Sequence, residues 1–256
     1  MSLKIKETKE IEKNSPVKNS GQANNMYIIA SSIIVAGLII AGAVVYQNNS
    51  SENTSSPSSL SEKTSINVKA VSPADHILGN IDAPVKIIEF SDLECPACKF
   101  FHQAMRDGII DEYINTNKVV WVYRHYPLDN PHPKARAEAE ASECVAALAG
   151  NDAFWQYIDK IFAVTPSNNG LDLELLNSIA AEIGFDQGQQ FLFTECRRDN
   201  LYRDQVNADM ADGLRAGLEG TPYIIIIDAA GNFNPINGTL PAASLRLILD
   251  DALAVK

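Results

Sequence analysis

The chain has 256 residues, room for one large domain or two small ones, and its 46% apolar composition is that of an ordinary globular protein. Four cysteines are too few for a disulfide-scaffolded mini-protein, and 21 basic against 32 acidic residues, net −11, argue against a nucleic-acid partner. The acidity needs no reading beyond solubility.

Residues 1–25 carry Lys4, Lys6, Lys9, Lys13 and Lys18 among polar residues without apolar periodicity, and read as a disordered cytoplasmic tail. Residues 26–46, from Met26 to Tyr46, are uncharged and as a helix would span roughly 31 Å, which matches a bilayer core, so a transmembrane anchor is expected there. A cleaved signal peptide is the competing reading, with Ala41-Gly42-Ala43 as a formal cleavage site. The length of the apolar run and of the leading tail favours the anchor. Five lysines precede the span and none follows until Lys63, which predicts a single-pass cell-membrane protein with its N-terminus in the cytoplasm and its main domain outside. Residues 47–67, rich in Ser, Asn and Thr, read as a flexible tether.

The folded domain is expected over residues 68–256. Val85 to Phe90 reads as a strand and Cys98 to Ile114 as a helix, with Phe101, Met105, Ile109 and Tyr113 at spacing four. Lys118 to Arg124 reads as a second strand, parallel to the first because a helix joins them. Residues 134–217 form an extended helical block, with Asp172 and Gly184 as caps. Tyr223 to Asp228 is a near-continuous apolar run, hence a central strand. Phe233 to Asn237 is a short edge strand that can carry Pro235, and Pro241 opens a last helix.

The chemistry concentrates in Ser91 to His102, SDLECPACKFFH. Two cysteines two residues apart are either half of a zinc site or a redox pair. Here Cys95-Pro96-Ala97-Cys98 lies where a strand hands over to a helix, and unpaired N–H groups at a helix start stabilise an anion. Cys95 should therefore ionise more readily than a free thiol, and a thiolate is the attacking species in disulfide exchange. The metal reading would use Cys95, Cys98 and His102 and lacks an evident further ligand, so neither a metal nor a cofactor is expected. His102, one turn into the helix, is near enough to modulate Cys98, although a solvated histidine is the plainer reading; His125 is similarly open.

The order strand, Cys-x-x-Cys, helix, strand, helical block, Thr-Pro, strand, strand, helix resembles a thioredoxin fold with an inserted helical subdomain, specifically the DsbA-like thiol:disulfide oxidoreductases. VKIIEFSDLECPACKFF, VYRHYPL, AEASECVAALAGNDAFWQYIDKIF and GTPYIIIID carry the likeness, over about residues 70–256. The resemblance implies an α/β fold with Cys95 as the exposed attacking cysteine, Cys98 as its buried partner and Glu89 as a buried acid that exchanges protons with Cys98. It also implies a substrate-facing surface at Pro96, Ala97, Thr221 and Pro222, the Thr221-Pro222 bond being cis. Substrates would be reduced, unfolded exported proteins, with a membrane redox partner such as a quinone-linked oxidase restoring the disulfide of a monomeric enzyme. A disulfide isomerase or reductase of the same fold is the alternative. The dipeptide Pro-Ala lacks the histidine of strongly oxidising members, and Asp92 and Glu94 add negative charge upstream, both of which are expected to weaken oxidising power. Cys144 and Cys196 remain. In an oxidising compartment they are expected to form a structural disulfide, the other reading being two separately buried thiols.

Overall fold

The computed structural model describes residues 66–255, so the expected tail, anchor and most of the tether lie outside the described residues. Among the described residues no helix is long and apolar enough to cross a membrane.

The elements are β1 (His76–Leu78), β2 (Val85–Ser91), α1 (Pro96–Ala104), α2 (Met105–Ile114), β3 (Val119–His125), α3 (Ala135–Ala149), α4 (Asn151–Val164), α5 (Leu175–Glu182), α6 (Gln187–Arg198), α7 (Arg203–Arg215), β4 (Tyr223–Ile227), β5 (Phe233–Asn237) and α8 (Ala242–Ala254). The strands form one sheet in the order β1-β3-β2-β4-β5. β2 and β3 are parallel, as the helical crossover requires, whereas β1 pairs with β3, β4 with β2 and β5 with β4 in antiparallel fashion. The strand that feeds the Cys-x-x-Cys is thus the middle of the sheet.

β-branched and aromatic residues dominate β2, β3 and β4, and helices or loops cover both sheet faces, which is why these strands read as continuous rather than alternating apolar runs. On one face Val85, Ile87, Trp121, Tyr123, Ile224 and Ile226 join the main core with the helices. On the other, Ile88, Phe90, Val122 and Ile225 form a smaller cluster with Tyr126, Ala216 and Leu218. Glu89 shares the helix-covered face with Ile87, so the strand period turns it into the main core.

Two features depart from the sequence reading. β1 was not expected: it is three residues long, too short to show a period, and it is held by its ladder to Tyr123, Val122 and Trp121. The helix expected over 98–114 begins at Pro96 and is broken. Asp107 leaves helical geometry and Gly108 takes φ 99°, after which the chain resumes with wide turns, Asn115 N donating to Ile110 O at 2.8 Å. A side chain at Gly108 would be strained at that φ, and its Cβ would fall 2.6 Å from Arg246 Nη2, the group that donates to the freed Asp107 carbonyl. The wide turns keep Phe101, Met105, Ile109 and Tyr113 on one buried face, so the apolar spacing survives the break.

Candidate functional site

Cys95 is the N-cap of α1, with extended backbone (ψ 123°), and Pro96 takes the first helical position, where its missing N–H is no loss. Cys98 is fully buried. Cys95, expected to stand exposed, keeps only 6% of its surface open, because Thr221 closes over it: the Cys95 thiol donates to the Thr221 carbonyl at 3.4 Å. The Thr221-Pro222 peptide bond is cis. Thr221 is half-buried, Pro222 buried, Pro96 exposed and Ala97 half-buried, so these four residues frame the sulfur.

The two thiols are pushed in opposite directions. A hydrogen bond from the Cys98 thiol is the largest influence lowering Cys95 to about 6; burial opposes it, and the Cys98 and Ala97 amides and Thr221 assist. Burial drives Cys98 well above the usual thiol range, reinforced by the charges of Cys95 and Glu89, while the Asp92 amide donates to its sulfur at 3.4 Å. Cys95 is therefore the anion and Cys98 the proton holder. Alkylation of the reduced chain by iodoacetamide should rise with a midpoint near pH 6 at Cys95 and leave Cys98 unmodified up to pH 8, read by peptide mass analysis. A midpoint near 8.5, that of a free cysteine, would contradict this assignment.

Glu89 is fully buried in β2. Burial raises its pKa to about 8 against opposing hydrogen bonds, among them Trp121 Nε1 donating to Oε2 at 3.0 Å; its Oε1 has no partner among the described residues. A carboxyl group that stays mostly protonated at pH 7 yet can ionise, beside a thiol that must gain and lose a proton, can serve as its proton carrier.

Asp92 and Glu94, which add negative charge upstream of the cysteines, are tied to distant parts of the chain. Both are buried. The Asp92 carboxylate accepts from the Leu128 amide (2.7 Å), the Glu94 amide (2.7 Å) and His132 Nδ1 (3.0 Å), and Glu94 accepts from the Gly170 and Leu171 amides. Their oxygens hold the motif to the loops before α3 and α5. His132 is a site residue that sequence reasoning missed, its only mark being its place between Pro131 and Pro133. Burial lowers its pKa, but the hydrogen bond and charge of Asp92, helped by Cys95, outweigh that and raise it.

His102 is not solvated. It is 5% exposed, stacks beside Phe162 and Trp121, and its Nε2 lies 2.6 Å from Asp159 Oδ1, so it is committed to α4 rather than to a thiol-based metal site. Next to Pro96 lies a groove of about 770 Å³ whose apolar wall includes Phe100 and Phe162 and whose rim carries Lys99, Arg106 and Asp159. Cys144 in α3 and Cys196 in α6 are joined by a disulfide with Cα atoms 6.0 Å apart, within the helical insertion.

The geometry agrees with comparisons to known proteins. The family described as Thioredoxin matches residues 71–235. The crystal structure of Pseudomonas aeruginosa DsbA2 superimposes with a TM-score of 0.57 and 30% identity, over 72% of this chain and 97% of that one. A probable disulfide bond formation protein D of Bacillus cereus is 27% identical over 158 residues, 58% of this chain and 68% of its own. Na(+)/H(+) antiporter NhaA 3 of Salinispora tropica is 30% identical over 152 residues, 59% of this chain but only 21% of that protein, so the chain spans about a fifth of the antiporter's length. With a family match that covers most of the chain, a DsbA likeness over nearly the whole of DsbA2 and a paired-thiol site at the start of α1, the chain belongs to the Thioredoxin family as a DsbA-like oxidoreductase.

Proposed function

We propose that the chain is a membrane-tethered, extracytoplasmic enzyme that forms disulfides in reduced, unfolded exported proteins. The carrying observation is the split between the thiols: Cys95 lowered to about 6 and Cys98 raised. In the oxidised enzyme a substrate thiolate attacks Cys95 Sγ. The Cys95–Cys98 bond breaks, and Cys98 leaves with the electron pair and takes a proton, for which Glu89 is the nearby donor. A second substrate thiolate then attacks the substrate sulfur of the mixed disulfide and expels Cys95. A low-pKa thiol is the better leaving group, which favours delivery of the disulfide to the substrate. Two electrons stay on Cys95 and Cys98, so a membrane redox partner must remove them. The groove beside Pro96 and the Thr221-Pro222 loop suit an extended, partly apolar peptide, and the enzyme acts as a monomer.

Redox titration of the whole chain against glutathione, with Cys95→Ser as the blank, tests the direction. A potential above that of thioredoxin, about −270 mV, and short of that of DsbA, about −120 mV, is expected; one at the thioredoxin value would sink the oxidase reading in favour of a reductase. The anchor and orientation are tested by whether a protease added outside intact cells removes the catalytic domain and leaves a membrane-bound stub.

A further inference from the structure

Away from the thiols, three side chains from distant parts of the chain meet at one corner of the sheet. His76 on β1, His125 at the end of β3 and Glu143 on α3 bring one donor atom each within 4.8 Å of the others. His76 Nε2 lies 2.8 Å and His125 Nε2 3.5 Å from the same Glu143 oxygen. The 2.8 Å contact is a hydrogen bond, and four ligands set tetrahedrally around zinc at 2.0–2.1 Å stand about 3.3 Å apart, so small side-chain shifts would bring the three atoms to the spacing a metal requires. All three side chains are largely covered, at 13%, 1% and 6% exposure for His76, His125 and Glu143, His76 being the most open.

The surroundings favour a cation. The His76 ring lies flat on Phe154 of α4, with centroids 3.5 Å apart, which fixes the direction of its Nε2. Asp209 of α7 accepts the His125 amide at 3.0 Å and brings a second carboxylate to the same corner. Among the described residues neither Glu143 nor Asp209 is paired with an arginine or lysine; Arg124, the neighbour of His125, sends its donors to Asp75, Asp212 and the Lys69 carbonyl. Ser142 Oγ, 3.0 Å from His125 Nε2, adds a neutral oxygen.

We infer that His76, His125 and Glu143 form a site for a borderline divalent metal ion of the zinc class, which staples β1 and β3 to the first helix of the insertion. Two imidazoles and one carboxylate are a donor set for zinc, whereas calcium and magnesium require oxygen throughout. The fourth position falls to water or to the Ser142 hydroxyl. The site shares no ligand with the Cys95–Cys98 pair.

The test uses the whole chain without a histidine tag and oxidised at Cys95 and Cys98, so that thiols cannot take the metal. Zinc sulfate is titrated calorimetrically, bound metal is counted after dialysis, and cobalt(II) serves as a visible-absorption reporter. One equivalent of zinc is expected, with affinity reduced about tenfold or more in both His76→Ala and Glu143→Gln and with the tetrahedral cobalt absorption lost. No uptake by the oxidised chain, uptake unchanged in both variants, or preference for calcium over zinc would overturn the inference. Should Glu143→Gln fail to fold by circular dichroism, His76→Ala, at the more open edge of the site, decides alone.

Discussion

Replacing Cys144 and Cys196 together by alanine should lower the unfolding free energy by roughly 4 kcal/mol, the chain-entropy value for a loop closed by a sequence separation of 52. The effect is large because of where the bond lies. Cys144 sits in the middle of α3 and Cys196 near the end of α6, both buried in the main core among Phe154, Tyr157 and Phe193, so the disulfide joins the two walls of the helical insertion. In the reduced, unfolded chain those walls are free to separate; in the folded chain their packing already holds them, and the bond acts chiefly on the unfolded state. Urea denaturation of the chain with and without the two alanines, both carrying Cys95→Ser and Cys98→Ser so that no free thiol reshuffles the bond, measures the difference. A loss below about 1 kcal/mol would show that the unfolded insertion retains enough structure to make the cross-link redundant. Cys95 and Cys98 should still exchange disulfides in the double variant below its transition, because β2, β4 and the start of α1 do not include either replaced residue.

The parts of the site that were legible in the sequence are those built by neighbours along the chain. Val85 to Phe90 shows its apolar run, Cys95 and Cys98 show their spacing, and Glu89 stands six residues before the first cysteine on the same strand; local propensity and a four-residue motif are enough to place them. Thr221 is different, since it meets Cys95 across 126 residues and was found through family likeness rather than through any local pattern. What failed did so for one reason. Asp92 and Glu94 look like free charges when only their sequence neighbours are considered, yet amides and a histidine 36 to 77 residues further on take up their oxygens. The same holds for His102, which looks solvated until Asp159 of α4 arrives, and for His76, His125 and Glu143, whose separations match no metal-binding motif. The break at Gly108 is a milder case. An isolated glycine in a helical pattern can be tolerated, and only the guanidinium of Arg246 on α8 makes the opened carbonyl worth keeping.

The second large effect is expected at Glu89, where stability and catalysis should move in opposite directions. Its carboxyl is held at about 8 by burial, against 4.5 for an unhindered glutamate. Below pH 4.5 it is protonated in both folded and unfolded chains. Between 4.5 and about 8 the folded chain keeps a proton that the unfolded chain has released, so the folded state binds more protons and its stability falls as pH rises through this window, levelling off above 8. The full cost is on the order of 5 kcal/mol at about 1.4 kcal/mol per pH unit. Glu89→Gln keeps an oxygen for the Trp121 indole N–H and cannot ionise, so the variant should match the wild type near pH 4 and exceed it by several kcal/mol at pH 8.5. Glu138 and Asp209, raised to about 9 and about 7 by burial, give both proteins a falling stability over the same range, so the informative quantity is the difference between the two curves. The same substitution removes the proton donor for Cys98. Oxidation of a reduced substrate protein at pH 7 should slow by on the order of a hundredfold, the lower end of what a positioned acid contributes, while the alkylation midpoint of Cys95 stays near 6. Denaturation curves at pH 4, 7 and 8.5 together with stopped-flow substrate oxidation separate the two effects. Parallel stability curves would remove Glu89 as the titrating group, and an unchanged rate would leave Cys98 to exchange its proton with water instead.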